Sequence, residues 1–331
     1  MTKILGIETS CDETSVAIVK NGVDVLSNVV KTQLVHSKFG GVVPDLSSRE
    51  HVNFILDVAR ESLRKSNLEI KDIDAVSVVN GPGLVGSLMV GVSFAEGICI
   101  RFGKKLITTD HIVGHIYGNV LTYKKISLPM LSLVVSGGHT SIFFVNKDFE
   151  IKTLGKTKDD AAGEAFDKCA KILNLGYPGG PLIEKFSKNG DEKFYRFPVS
   201  RLEGYDFSFS GLKTSVLYYK RKMGEEFVKE NISNIAASIQ KAIVEQLLSV
   251  FEKCFEDNKN NIKSVSIAGG VSANGYFREK FKKLFENRVD NIYIPSMEFC
   301  TDNAALTAGL AYLKYKKNIF SELGVKVFSR S

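Results

Sequence analysis

Apolar and polar positions alternate as in strands over two separate stretches of the chain, and each stretch gives way to helical periodicity. Near the N-terminus, residues 3–8, 14–20 and 23–30 read as three strands, with Asn21-Gly22 as the hairpin turn between the last two. A helical pattern follows over residues 47–65, then a buried strand over 75–79. The turn Gly81-Pro82-Gly83 leads into a helix over 85–100. The pattern then restarts. Residues 130–135, 140–145 and 150–154 predict three more strands, followed by helices over 161–173 and 232–255. Residues 265–268 predict another buried strand, ended by Gly269-Gly270 and followed by a helix.

Three strands in a meander, then alternating helix and strand, occurring twice, predict an α/β architecture of two ribonuclease-H-like lobes with a cleft between them. A single doubly wound sheet leaves the second meander unexplained. The repeat is one of elements, since the halves share no residue-level repeat. The expected division is an N-terminal lobe over 1–110, completed by a C-terminal helix near 303–331, and a second lobe over 111–302 with a helical insertion near 175–225. No Pro/Gly/Ser linker separates the halves. Close packing is therefore expected, with helices near 112–121 and 303–314 crossing between the lobes. A length of 331 residues suits two such lobes better than one core.

Composition narrows the setting. Five scattered cysteines show no paired spacing, so neither a disulfide framework nor a thiolate zinc site is expected, and a reducing cytoplasm is. No signal-peptide pattern opens the chain, and no apolar stretch reaches the about 18 uninterrupted residues of a membrane span. The net charge of +7 has two readings, a solubilising lysine-rich surface or contact with a polyanion such as RNA. For the second, the segments of interest are Lys220-Arg221-Lys222, behind two tyrosines, and residues 278–283.

The strongest local chemical signal is His111-Ile-Val-Gly-His115. At i and i+4 on a helix, two imidazoles can converge on one cation, although two ordinary histidines near a helix start would look the same. Ile112 stands where a zinc protease needs its glutamate base, so that activity is not expected. Glycine clusters at Gly137-Gly138 and Gly269-Gly270 close strands, and Gly179-Gly180 adds a third. Such turns let backbone amides approach a phosphate, or simply turn the chain. Carboxylates gather at Glu8, Asp12 and Glu13, and at Asp159, Asp160 and Asp167; they fit a cation or ribose, or caps and solvated surface. Asp302 lies at a helix start, where capping is the plainer role.

Taken together the motifs are specific. They run Leu5-Gly-Ile-Glu-Thr-Ser-Cys-Asp-Glu-Thr14, Gly40-Gly-Val-Val-Pro44, Ser48-Arg-Glu-His51, Gly81-Pro-Gly-Leu-Val-Gly86, the His111/His115 pair and Val135-Ser-Gly-Gly-His-Thr140. They continue with Asp159-Asp-Ala-Ala-Gly-Glu-Ala-Phe-Asp-Lys168, Tyr177-Pro-Gly-Gly-Pro181, Asp206-Phe-Ser-Phe-Ser-Gly-Leu-Lys-Thr214, Gly269-Gly-Val-Ser-Ala-Asn274 and Cys300-Thr-Asp-Asn303. In order and spacing, from about residue 3 to 315, this resembles the TsaD family of bacterial tRNA threonylcarbamoyladenosine transferases, once described as O-sialoglycoprotein endopeptidases.

The resemblance implies an actin/Hsp70-like (ASKHA) fold and transfer of threonylcarbamoyl from threonylcarbamoyl-adenylate to N6 of adenosine 37, in tRNAs reading codons that begin with A. It implies one metal, iron with zinc as the alternative, on His111, His115 and Asp302. It places an adenine nucleotide or the adenylate, with magnesium as a companion, on Val134, Val135, Ser136, Gly137, Gly138, Asp167, Gly180 and Asn274, with Glu184 as an extra contact. It implies tRNA, a shorter homologous subunit (TsaB-like) pairing through the N-terminal lobe, and a small P-loop ATPase (TsaE-like) as partners, with a separate synthase supplying the adenylate. Asp110 stands where the family usually has Asn or His, a position from which it would tune the metal, and Asp45-Leu46-Ser47 replaces the common Glu-Leu-Ala. No residue is assigned as the base for the N6 proton. An idle nucleotide-binding scaffold would not need the three ligands, and a small-molecule kinase on this fold should lack the histidine pair.

Overall fold

The computed structural model describes residues 1–329 and contains two compact units, Met1–Lys125 with Pro295–Ser331, and Ile126–Ile294. In the first, β1 (Lys3–Glu8), β2 (Glu13–Lys20), β3 (Asp24–Thr32), β4 (Ala75–Gly81) and β5 (Lys105–Asp110) form one sheet in the order β3-β2-β1-β4-β5. The β1–β2–β3 pairs are antiparallel, while β4 and β5 run parallel to β1. Strand β1 lies at the centre with both faces covered, which is why its sequence is almost continuously apolar instead of alternating. Helices α1 (Pro44–Ser66), α2 (Val85–Phe102) and α3 (His111–Tyr123) follow β3, β4 and β5.

The second unit repeats the topology. Its strands are β6 (Met130–Val135), β7 (Thr140–Val145), β8 (Ile151–Lys156), β9 (Ser264–Ala268) and β10 (Asn291–Tyr293), ordered β10-β9-β6-β7-β8. Between β8 and β9 come α4 (Ala162–Ile172), α5 (Gly179–Ser187), α6 (Ser210–Met223), α7 (Glu225–Glu230) and α8 (Ile232–Asn258); α9 (Gly275–Phe285) links β9 to β10. Its core packs Phe166, Phe251, Phe277, Phe281 and Phe285 against the sheet. The chain then returns to the first unit, where α10 (Ala304–Lys316) packs on β1, β2, β4 and β5. The doubled meander and the parallel strands beside it agree with the sequence pattern. Strands β5 and β10 were not read from the sequence: β10 has only three residues, and β5 is a short segment wedged between two helices.

The unit boundaries differ from those expected at 110/111 and 302/303. Helix α3 packs against α10, so both it and the stretch from Pro295 onward belong to the first unit. The helices expected to cross between lobes are therefore partners within one unit. By length and composition alone α2 could cross a membrane, but Ser87, Leu88, Gly91, Val92, Ala95 and Cys99 on it are buried in this unit.

Gly6 marks the closest approach of α10 to the sheet. A Cβ there would run into the Ala304 carbonyl oxygen and stand 2.9 Å from Ala308 Cβ. Since neither backbone can yield without moving α10, Gly6→Ala should cost about 1–3 kcal/mol. The check is the unfolding midpoint of the purified variant, which falls by several degrees; an unchanged midpoint would show that α10 shifts freely.

Candidate active site

Helix α3 begins abruptly at His111 because Asp110 caps it. Asp110 Oδ1 accepts from Ile112 N at 2.8 Å and Val113 N at 3.0 Å. Starting there sets His111 and His115 one turn apart on one face, with ring centroids 4.8 Å apart and planes 77° to each other. Asp302 comes from the loop before α10. The cap of that helix is Asn303, whose Oδ1 accepts from Ala305 N at 3.2 Å. Ala304 N donates to Ser15 Oγ at 2.9 Å. The capping role read for Asp302 thus falls to its neighbour, and Asp302 turns to the histidines. Its Oδ1 lies 3.1 Å from His115 Nε2 and 3.7 Å from His111 Nε2. The three ligand atoms all fall within 4.8 Å of one another.

The other face of His111 is held from behind. Its Nδ1 lies 3.1 Å from Glu8 Oε2 and 3.1 Å from Ser10 Oγ, while Glu8 Oε1 accepts from Ser10 N at 2.6 Å. Fixing one ring nitrogen in this way aims the other, as the outer partners of metal-bound histidines do. His115 is fully buried, and neither ring nitrogen has a hydrogen-bond partner among the described residues; the approach to Asp302 lies outside hydrogen-bond geometry. An imidazole left so costs about 1–3 kcal/mol, which a shared cation would remove.

The charges agree. Burial disfavours the charged form of His111, but Asp302, Glu8 and Asp110 outweigh it and hold its pKa up at about 9. The Glu13 carboxyl is pushed well above the usual range by burial, then by Asp302 and Asp12. The Cys11 thiol is pushed up by burial and the same carboxylates. Such an acidic pocket around His111 favours positive charge there, and a bound cation would take the place of the proton on that ring; the donor set fits one.

In the second unit, β6 and β9 run parallel side by side, with Val134 opposite Ala268, so their C-terminal ends deliver two glycine turns to one place. Ligands of open α/β sheets sit at such strand ends. Val134 and Val135 are buried in β6, so only their backbones can serve a ligand. The turn after them is closed by Ser136 N donating to His139 O at 2.8 Å. Asp167 Oδ1 accepts from Gly179 N at 2.6 Å and ties the start of α5 to α4. Glu184 Oε1 accepts from Gly275 N at 2.8 Å. Asn274 caps α9 through Phe277 N at 2.9 Å and donates to Gln240 Oε1 at 2.8 Å. Buried Ser272 Oγ, in the same turn, has no partner among the described residues.

The glycines here fall into two kinds. Gly163, Gly179 and Gly269 are filled by the chain itself, since a Cβ on them would meet Ser136 O, Asp167 Cα and Val135 O respectively. Gly137, Gly138, Gly180 and Gly270 have nothing within 4 Å of that position and ordinary backbone angles. Neither packing nor conformation requires glycine at these four. A ligand that approaches the backbone would.

Residues 24–309 match the TsaD family, described as tRNA N6-adenosine threonylcarbamoyltransferase. The tRNA N6-adenosine threonylcarbamoyltransferase of Thermosipho africanus is 52% identical over 325 residues, covering 96% of both chains. That of Riemerella anatipestifer is 46% identical over 333 residues, covering 99% of this chain and 97% of the relative. The chain belongs to the TsaD family. It is a transferase that forms threonylcarbamoyladenosine on tRNA. Among solved structures, HypF from T. kodakarensis aligns with a TM-score of 0.64 at 15% identity, covering 96% of this chain and 48% of that one. Component A of the Acidaminococcus fermentans (R)-2-hydroxyglutaryl-CoA dehydratase aligns at 0.58 and 14% identity, covering 96% and 100%. At such identities these two support the ASKHA fold alone.

For this TsaD-family chain, the residues expected to hold metal all lie in the first unit and those expected to hold a nucleotide all lie in the second. Other carboxylates are occupied structurally. Asp159 accepts from Ser208 Oγ, Phe209 N and Ser210 Oγ, and Asp160 pairs with Lys168 at 2.6 Å. Glu8 and Ser10 as orienters of His111, and Gln240 as the anchor of Asn274, were not read from sequence. The available signals were a carboxylate ending a buried central strand and two glutamines, Gln240 and Gln246, among the apolar residues of α8.

Asp302 and Asn303 separate the two roles in one dipeptide. Asp302→Ala should strip the metal from the purified protein with little change in stability. Asn303→Ala should cost about 1 kcal/mol through the lost cap and keep the metal. Metal content by plasma emission and unfolding midpoints for both variants check this; equal metal content in the two would refute the division.

Proposed function

We propose that the chain moves threonylcarbamoyl from threonylcarbamoyl-adenylate to N6 of adenosine 37, in tRNAs reading codons that begin with A. The convergence of His111, His115 and Asp302, with Glu8 behind His111, is the observation that carries the reading. Two imidazoles and one carboxylate are a donor set that iron(II) favours and zinc accepts, and we assign iron. When bound, the metal supplies Lewis acidity toward a carbonyl oxygen. Glu8 and Ser10 keep His111 Nε2 in place so that the donor set needs no reorganisation.

The adenylate is assigned to the second unit. Backbone amides of the Ser136–Gly138 and Gly269–Gly270 turns would take its phosphate, which the four open glycines allow to come close. The Asn274–Gln240 bond and the Asp167–Gly179 bond hold that frame rigid. An acyl adenylate already carries a good leaving group. What remains is to hold a weak amine nucleophile against a polarised carbonyl, which is positioning more than bond-making by side chains. An idle scaffold would not keep a buried, unpartnered His115 beside Asp302.

The resemblance also supplies partners. The shorter homologous subunit would cover the α1/α2 face, where Val52 (62% exposed), Leu56, Met89 (55%) and Ile100 (68%) form an apolar stripe with no cover within the chain. The P-loop ATPase and the adenylate-making synthase are taken from the same resemblance. The five cysteines form no disulfide among the described residues, which suits a reducing cytoplasm, where tRNA is modified.

Incubation with threonine, bicarbonate, ATP, unmodified tRNA and the pathway proteins, followed by nucleoside mass spectrometry, tests the reaction; no threonylcarbamoyladenosine above a chain-free control would reject it. Gly137→Val and Gly270→Val should fold normally, because space is open there, yet lose adenine-nucleotide binding at least about tenfold. Calorimetry on the folded variants decides, and unchanged affinity in both would move the nucleotide elsewhere.

A further inference from the structure

Away from the glycine turns, α6 forms one wall of a groove of about 420 Å³ in the second unit. Along one helix face it presents Gly211, Thr214, Ser215, Tyr218 and Lys222, and Tyr195 stands opposite; no lining residue is acidic. The spacing i, i+3, i+4, i+7, i+11 explains the common face.

Three features set this groove apart from ordinary surface. Tyr218 is 63% exposed, and among the described residues no ring packs on it and no partner takes its hydroxyl. The rear wall is fixed, since the Tyr195 ring packs on Tyr219 at 4.2 Å and on Phe197 at 4.7 Å between centroids. Gly211 has nothing within 4 Å of a Cβ position and an ordinary φ, so, like the four glycines above, it has no internal reason to be glycine. The charge is one-sided. Helix α6 carries Lys213, Lys220, Arg221 and Lys222 and no acid. Lys220 is engaged by Ile172 O at 2.9 Å and Glu225 at 3.1 Å, whereas Arg221 and Lys222 have no ion pair among the described residues.

A tyrosine face, flanking hydroxyls and unpaired cations within one helical turn are what an unstacked nucleotide needs, the ring for the base and the cations for its phosphate. A protein-binding patch would share the tyrosine and arginine but would be depleted in lysine, of which α6 carries three. We infer that this groove holds an unpaired nucleotide of the tRNA substrate, distinct from the reacting adenosine, its base stacked on Tyr218 and its phosphate on Arg221 and Lys222. The inference rests on the tRNA-modifying reading and adds a second anchor for the RNA, which would fix the register of the loop being modified.

The test is binding of a fluorescein-labelled, unmodified tRNA transcript to the full chain with its pathway proteins, by anisotropy over a salt series. Tyr218→Ala should weaken binding about tenfold, and Tyr218→Phe, which keeps the ring, should stay near wild type. Lys222→Glu should weaken binding and flatten the log–log salt slope by about one. Nucleotide affinity and unfolding midpoint should stay at wild-type values in all three, since the side chains are exposed. Wild-type tRNA affinity in Tyr218→Ala overturns the inference, and so does a Tyr218→Ala defect confined to binding one of the partner proteins. Wild-type formation of threonylcarbamoyladenosine is scored separately, so failure of the reaction and failure of the groove give different results.

Discussion

The start of α10 is the constraint on which the candidate metal centre depends. Ala304 N bonded to Ser15 Oγ on β2, together with the Asn303 cap, decides which residue of the preceding loop faces inward. If the helix began one residue earlier, Asp302 would become the cap and its carboxylate would face the helix end. The same sheet that receives α10 ends β1 at Glu8, which holds His111 from behind. Two neighbouring strands of one sheet thus seat the helix that brings Asp302 and orient the ring opposite it.

The glycines of this chain fall into two physical kinds. Where a Cβ would strike backbone, as at Gly6, Gly163 and Gly269, the residue exists to let elements touch. Where it would meet nothing, as at Gly137, Gly138, Gly180 and Gly270, neither packing nor φ accounts for the residue. The first kind builds the frame that holds the second kind still. Gly163 and Gly269 press directly on the turn that carries Gly137.

Electrostatic cost is concentrated in the same few residues. Asp302 and Glu8 hold the pKa of buried His111 up, while burial, then Asp302 and Asp12, raises that of Glu13. Gathering several like charges in one partly buried place is costly, and stability alone gives no reason for it. The pocket is explicable as a cation site.

Much was determined by the sequence alone. Two meanders, each followed by helix–strand alternation, fixed the doubled α/β architecture, because buried central strands and amphipathic helices write their period locally. The spacing of His111 and His115 placed them on one helical face, and the ordered motifs identified the family. Other features are products of tertiary structure. No local pattern could show that α3 and the loop before α10 join the first unit, since that depends on which surfaces pack. The role of Glu8 behind His111, the division of labour between Asp302 and Asn303, and the hold of Gln240 on Asn274 all join residues far apart in the chain. Strands β5 and β10 were not read locally; their place beside β4 and β9 is set by pairing across the chain. Periodicity reports what each segment buries, and only the folded chain decides what it is buried against.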